Sequence, residues 1–314
     1  MLSDKINICL SSDDKYTQHL AVTITSILKN RAENDEFSFI ILDGNISSEN
    51  KEKTKSLKSI HDFDIEFVKV DNNLFAKCPI QDWTHLSIVT YYRLVLPNIK
   101  PEWDRIIYLD CDIVVRQSLK ELFNLDIGDN YLAAVKDISE QKHASRLGIE
   151  HYCNTGVMLI NAKKWREDNI TDKLFEWIDN NTEKIVLHDQ DILNAALQER
   201  FLIIDGKWNT QFVARILKEK MKIWENAAII HFIDKRKPWL WFNGDKLTRE
   251  YRTFLKETPY KPFLKNYYIK TVPKSLAVKF CKFIFDIGNI SSDIKFVRIL
   301  GFTMYIKRKP KQKA

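Results

Sequence analysis

Glycine is scarce in this chain: there are eight in 314 residues, and none falls in a G-x-G-x-x-G or P-loop pattern. A glycine-rich backbone therefore cannot cradle a diphosphate here, and any such group must be neutralised by other means, such as a divalent ion. Cysteine is also sparse. Cys9, Cys78, Cys111, Cys153 and Cys281 are odd in number, scattered and never in a Cys-x-x-Cys pair. That argues against a disulfide framework or a thiolate zinc site and for a reducing compartment. No run approaches the roughly 20 apolar residues that span a bilayer, and the opening MLSDKINICLSS has neither the basic lead nor the long apolar core of a signal peptide. The expectation is a cytoplasmic protein.

What is present suits a folded core. Apolar residues make up 45% of the chain and aromatics 12%, enough for one large domain or one domain with an appendage. The net charge of +7 divides unevenly: residues 261–314 hold 13 Lys and Arg against two acids, Asp286 and Asp293, so this tail carries +11 and the rest −4. The expected organisation is a globular domain over residues 1–260 and a basic segment over 261–314.

Short β-branched runs alternate with helical stretches up to about residue 160, the pattern of strand-helix-strand units. Strands are expected at 6–12, 37–44, 64–70, 105–115, 131–137, 155–161, 201–205 and 227–233. A helix between the first two would turn Leu20, Ile24, Ile27 and Leu28 to one face, Ser47 or Ser48 would cap a second helix, and DQDILNAALQ (189–198) would form another. Such a sheet leaves nucleotide-sized clefts at its strand ends.

The apolar run IIYLDCDIVV stops in Asp110 and Asp112. Two carboxylates one residue apart at a strand end can share one hard cation, and like charges so close call for a cation between them. Alone, the pair also fits a solvated turn, or the nucleophile motif of the aspartate phosphatases with Asp110 attacking. That phosphatase reading finds no convincing later acidic pair. His231, ending the run AAIIH, can complete a metal site, and Lys235, Arg236 and Lys237 after it can meet phosphate oxygens. Asp189 and Gln190 at a helix start can face a ligand, or Asp189 can simply cap the helix.

Taken in order, SSDDKY, THLSIVTYYRL, YLDCDIVV, YCNTGVMLIN, HDQDILN and HFIDKRKPW resemble family 8 of the retaining glycosyltransferases, over about residues 6–240. The resemblance implies an α/β domain of the GT-A type, a nucleotide-diphosphosugar transferase fold with a Rossmann-like mixed sheet flanked by helices. It implies Mn²⁺, or Mg²⁺, held by Asp110, Asp112 and His231, with Asp13 and Lys15 against the nucleotide and Asp13 suited to the uracil N–H. Arg93, Asn154, Gly156, Asp189 and Gln190 would surround the donor sugar, with Asp189 and Gln190 the catalytic candidates. Lys237 would reach the diphosphate, and His85 would approach both donor and acceptor. The implied reaction moves galactose or glucose from a UDP-sugar to a saccharide acceptor of a surface glycan such as lipopolysaccharide or lipooligosaccharide, with retention of configuration. Gln190 carries an amide, a poor nucleophile, which favours a front-face route over a covalent intermediate. Asp234 departs from the family pattern, which usually has glycine there; an acid at that point repels phosphates unless it turns away or pairs with Lys235 or Arg236. A catalytically silent membrane-associated binding protein is the remaining alternative.

In the tail, Leu276, Phe280, Phe283, Ile284 and Ile287 recur at helical spacing between Lys274, Lys279 and Lys282. This reads as a basic amphipathic helix over 272–287 lying on an anionic inner membrane surface, or else as a helix packed on the core with a solvated basic face; residues 295–313 are read as more of the same. The extension is expected to be mostly helical, the protein peripheral on the inner face of the membrane, and a lipid-linked acceptor would make that attachment useful. No nucleic-acid motif is present.

Overall fold

The computed structural model describes residues 5–80, 87–213, 224–233, 237–240, 246–264, 284–289, 294–300 and 302–307. Strands β1 (Lys5–Asp13), β2 (Glu36–Gly44) and β3 (Asp64–Lys69) pair in parallel, and β4 (Arg105–Leu109) joins the other edge of β1, again in parallel. Beyond β5 (Ile113–Val115), strands β6 (Leu132–Lys136), β7 (Cys153–Asn161) and β8 (Phe201–Ile203) complete a seven-stranded mixed sheet in the order β3-β2-β1-β4-β7-β6-β8, with β7 antiparallel to both its neighbours. The chain leaves β1 toward β2 on one side and returns as β4 on the other. Such a reversal opens a crevice outside the carboxyl ends of the strands. Asp13 ends β1 and Asp110 directly follows β4, so both acids stand at that reversal.

The central strands are covered on both faces, which is why β2, β4 and β7 carry the unbroken apolar runs FIIL, IIYL and VMLI, whereas the edge strand β3 is partly exposed. Ile8, Leu10, Ile107 and Leu109 pack into one apolar cluster, and Cys9, Ile106 and Tyr108 into another. Each fully buried aliphatic side chain contributes about 1.5–3 kcal/mol. Cys9, Cys78, Cys111 and Cys153, the cysteines among the described residues, are free and buried.

Two local differences from the sequence reading matter for the site. The run 105–115 is not one strand: it breaks at Asp110–Asp112, and β5 pairs instead with β10 (Ile229–His231), which pairs in turn with β9 (Thr210–Gln211) in a separate three-stranded sheet. The helix Thr17–Lys29, expected to bury one face, is buried from Thr17 to Leu28 on every side. Its hydroxyl face packs on the segment after β4 and satisfies it: Thr23 Oγ1 donates to the carbonyls of Cys111 (2.8 Å) and Ile113 (3.0 Å), and Ser26 Oγ accepts from the Val115 N–H (2.9 Å). The second helix begins where expected, Ser47 accepting from the Asn50 N–H to cap Ser48–Lys55.

The chain divides into two compact units, Met1–Lys235 with Thr253–Lys261, and Arg236–Arg252 with Pro262–Ala314. In the second, the strands β11 (Phe285–Asn289), β12 (Ile294–Ile299) and β13 (Phe302–Lys307) form an antiparallel sheet. This corrects the expected helical tail. Most of 272–287 lies outside the described residues, but Phe285–Ile287 is strand, and Ile294–Ile299 pairs with Phe302–Lys307. IKFVRI and FTMYIK are rich in β-branched and aromatic residues that suit a pleated surface, and cross-strand pairing takes precedence over a loose helical spacing. Among the described residues no helix is long and apolar enough to cross a membrane.

Candidate active site

The acids after β4 and the imidazole at the end of β10 meet through strand register. Asp110 N–H donates to Gly156 O (2.8 Å), continuing the β4–β7 ladder by one residue, and Asp112 O accepts from Phe232 N–H (3.0 Å) as β5 aligns Ile113 with His231. His231 Nε2 then lies 3.2 Å from Asp112 Oδ1 and 3.7 Å from Asp110 Oδ2. The three ligand atoms fall within 4.8 Å of one another, a spacing that fits one ion bound at about 2.0–2.6 Å by each. Gly156 keeps this space open: a Cβ there would land on His231 Cε1 and 2.6 Å from Asp110 Oδ2. The residues present therefore fit a hard divalent cation.

Behind the cluster Arg93 is buried at 5% exposure. Its Nη2 donates to Asp110 Oδ1 (2.8 Å), its Nε pairs with Asp189 Oδ2 (3.1 Å), its Nη1 donates to Thr155 O (2.8 Å), and its guanidinium lies 4.2 Å from the Tyr108 ring centre. Burial works against that charge, but Asp110 and Asp189 outweigh it and raise the guanidinium pKa further. Asp189 is buried too. Burial pushes its carboxyl up, while Arg93 and the Thr90 hydroxyl pull it down. Its Oδ1 accepts from Thr90, and its Oδ2 from Thr155 Oγ1 as well as facing Arg93. Asp189 is thus not the helix cap; His188 takes that place, in the left-handed region at φ 54°.

Gln190, half-buried, accepts at Oε1 from the Thr155 N–H and from Asn154 Nδ2 (3.2 Å each) and donates to Asp137 Oδ2 (3.4 Å). Asn154 Oδ1 accepts from the Gly156 N–H (3.1 Å).

A family model described as glycosyl transferase family 8 matches residues 7–242. The chain belongs to glycosyl transferase family 8. It is similar to general stress protein A of Bacillus subtilis (strain 168), 32% identical over 76% of this chain and 89% of the relative. It is also similar to the lipopolysaccharide 1,2-glucosyltransferase of Escherichia coli, 30% identical over 75% of this chain and 74% of that protein. Among solved structures it matches the galactosyltransferase LgtC in complex with donor and acceptor sugar analogues, at 28% identity and a TM-score of 0.70, over 81% of this chain and 96% of that one. The fold is therefore the GT-A fold, and family membership sets aside the phosphatase and silent-protein alternatives. Divalent-metal use is general in family 8, and the cluster Asp110, Asp112 and His231 has the ligands for it.

In this family 8 chain the structure gathers Asp110, Asp112, His231, Arg93, Asn154, Gly156, Asp189 and Gln190 into one connected set. Asp13 and Lys15 stand at the end of β1; one Asp13 oxygen accepts from the Tyr16 N–H (2.9 Å), and Lys15 is exposed. Lys237 is half-buried in the second unit. His85, Asp234, Lys235 and Arg236 lie outside the described residues.

Three participants escaped the sequence reading. Asp137 directly follows β6 and accepts from Gln190; Asn209 stands just before β9 and meets His231; Asp191, fully buried, accepts from the Val186 and Leu187 N–H groups, from Tyr152 Oη and from Arg146 Nη2. The second acid of D-Q-D was the available signal for Asp191. Nothing local marked the other two.

Proposed function

We propose that this enzyme transfers a hexose, galactose or glucose, from a UDP-sugar to a saccharide acceptor of a surface glycan of the lipopolysaccharide or lipooligosaccharide kind, retaining the anomeric configuration. The observation that carries the reading is the Asp110–Asp112–His231 cluster, kept clear by Gly156, at the β1/β4 reversal where an α/β sheet binds nucleotides.

Asp110, Asp112 and His231 would hold Mn²⁺, which when bound offsets the charge of the donor diphosphate and of the leaving nucleotide. The chain's own residues do the rest. On this reading Asp13, at the end of β1, would face the uracil N–H and Lys15 would lie against the nucleotide, while Lys237 would serve the diphosphate and His85 the donor and acceptor. Arg93, Asn154 and Gln190 orient the sugar. Asp189 has both carboxylate oxygens engaged, by Thr90 on one side and by Thr155 and Arg93 on the other, which leaves it poorly placed to attack carbon. With Gln190 presenting an amide, a front-face departure and attack through an oxocarbenium-like ion pair is favoured. Purified protein with Mn²⁺ should bind and slowly hydrolyse UDP-galactose or UDP-glucose, and Asp110→Ala should abolish both. Neither activity with any UDP-hexose would overturn the reading.

The segment 261–314 would hold the enzyme peripherally at the cytoplasmic face of the membrane, beside a lipid-linked acceptor. Its charge of +11 supports this, as do the exposed side chains of Ile299, Leu300, Phe302 and Met304 near Arg298 on the β12–β13 hairpin. The full chain should sediment with phosphatidylglycerol vesicles at low salt and not with phosphatidylcholine vesicles. Equal sedimentation with both, or with neither, would rule attachment to an anionic surface out.

A further inference from the structure

A directional chain of amides runs from the metal cluster to the sugar side of the site, and backbone groups set its polarity. The Gly156 N–H donates to Asn154 Oδ1 (3.1 Å), so this end of the Asn154 amide must be its oxygen. Asn209 Nδ2 donates to the same oxygen (2.8 Å), which turns the Asn209 carbonyl the other way, to 3.0 Å from His231 Nδ1. A carbonyl can only accept, so Nδ1 must carry a proton, which makes Nε2, beside Asp110 and Asp112, the nitrogen whose lone pair is available to a cation when the ring is neutral. At the far end the Thr155 N–H fixes the Gln190 oxygen in the same way (3.2 Å), and Asn154 Nδ2 donates to it. Asn209, Asn154 and His231 are all buried, at 1%, 7% and 3% exposure, so water competes little for these bonds.

We infer that Asn209 is the positioning residue that selects the His231 tautomer and so prepares Nε2 to bind the divalent cation. The inference rests on the metal reading of Asp110, Asp112 and His231. A ligating imidazole ordinarily donates its second N–H to a carbonyl or carboxylate, and loss of that partner weakens metal binding roughly 10–100-fold. Asn209 has no direct contact to make with the ion; its effect passes through the ring.

The test uses the full chain. Nitrogen-15 NMR of the protein labelled at histidine, without added metal and at a pH high enough to keep the ring neutral, should show His231 as the Nδ1–H tautomer; the Nε2–H tautomer would overturn the inference. Mn²⁺ titration followed by EPR should show about 10–100-fold weaker binding in Asn209→Leu and a smaller loss in Asn209→Asp, which keeps an acceptor at Nδ1 while giving up the donor to Asn154 Oδ1. Equal affinity in Asn209→Leu and the unaltered protein would overturn it as well, and should Asn209→Leu fail to fold, the tautomer of the unaltered protein decides. His231→Ala separates the two levels. Undiminished Mn²⁺ binding there removes the metal reading and this inference with it, whereas loss in His231→Ala beside full affinity in Asn209→Leu removes the inference alone.

Discussion

Arg93 holds Asp110 by one oxygen, Nη2 to Oδ1 at 2.8 Å, and leaves the other, Oδ2, turned to His231. The cation that two adjacent acids call for is thus in part supplied by the protein, from behind. Because the same guanidinium pairs with Asp189, its removal strands two carboxylates, one of them buried.

Breaking a buried pair by removing one partner costs about 3–5 kcal/mol. Arg93→Ala should therefore melt well below the unaltered protein, by about 6 °C or more for a chain of this size, in a thermal denaturation scan. A melting point within a degree or two would show that the network carries little stability.

Gly156→Ala should abolish metal stabilisation while the protein stays folded, since the methyl would meet His231 Cε1 and Asp110 Oδ2 rather than the core. Overpacking of this kind costs about 1–3 kcal/mol. Melting curves with and without Mn²⁺ check it: saturating ion at about 100 Kd adds about 2.7 kcal/mol to a competent site, and that increment should vanish in the variant.

Burial lowers the His188 pKa below 6.5, against weaker opposing pulls from Asp189 and Asp191, and its Nε2 has no hydrogen-bond partner among the described residues. The sign follows. The folded state keeps the ring neutral, the unfolded chain takes up a proton near pH 6.5, and stability present above that pH is lost as pH falls toward the folded value. Urea melts between pH 7 and pH 5 should show this loss, at most about 1.4 kcal/mol per pH unit from one group, and His188→Asn should flatten the slope. His143, also lowered by burial, adds a residual slope of the same sign.

Asp191 receives four donors on one buried carboxylate, two of them the backbone N–H groups of Val186 and Leu187 just before the left-handed turn at His188. Asp191→Ala should cost about 3 kcal/mol by leaving these donors and Arg146 unpaired. It should also lower kcat more than it raises KM, because the turn aims Asp189 and Gln190. Steady-state kinetics against a UDP-hexose would reveal the split; unchanged kcat would mean the turn holds without it.

Much of the fold could be read directly. IIYL, FIIL and VMLI are apolar and buried at every position because the central strands are covered on both faces, and that continuity survives in the primary structure. Asp110, Asp112 and His231 were legible as candidate ligands because Asp110 and His231 each close an apolar run and Asp112 stands one residue beyond Asp110. The break inside 105–115 was not legible: IIYL and IVV are equally good strands, and only the competing partner β10 draws the second into another sheet. At Phe285–Ile287, Ile294–Ile299 and Phe302–Lys307 the helical reading misled, because apolar spacing allows a helix there and pairing among β11, β12 and β13 takes precedence.

By itself, then, the sequence determined which residues could be strands, which acids could bind a cation and which family the ordered motifs belong to, since these depend on local pattern. The tertiary structure alone decided that Thr23 and Ser26 support the acid turn, that Arg93 bridges Asp110 and Asp189, and that Asn209 meets His231. Those are contacts between residues 17 to 96 positions apart. No local periodicity encodes them, because hydrogen bonds and ion pairs across a sheet depend on register and packing.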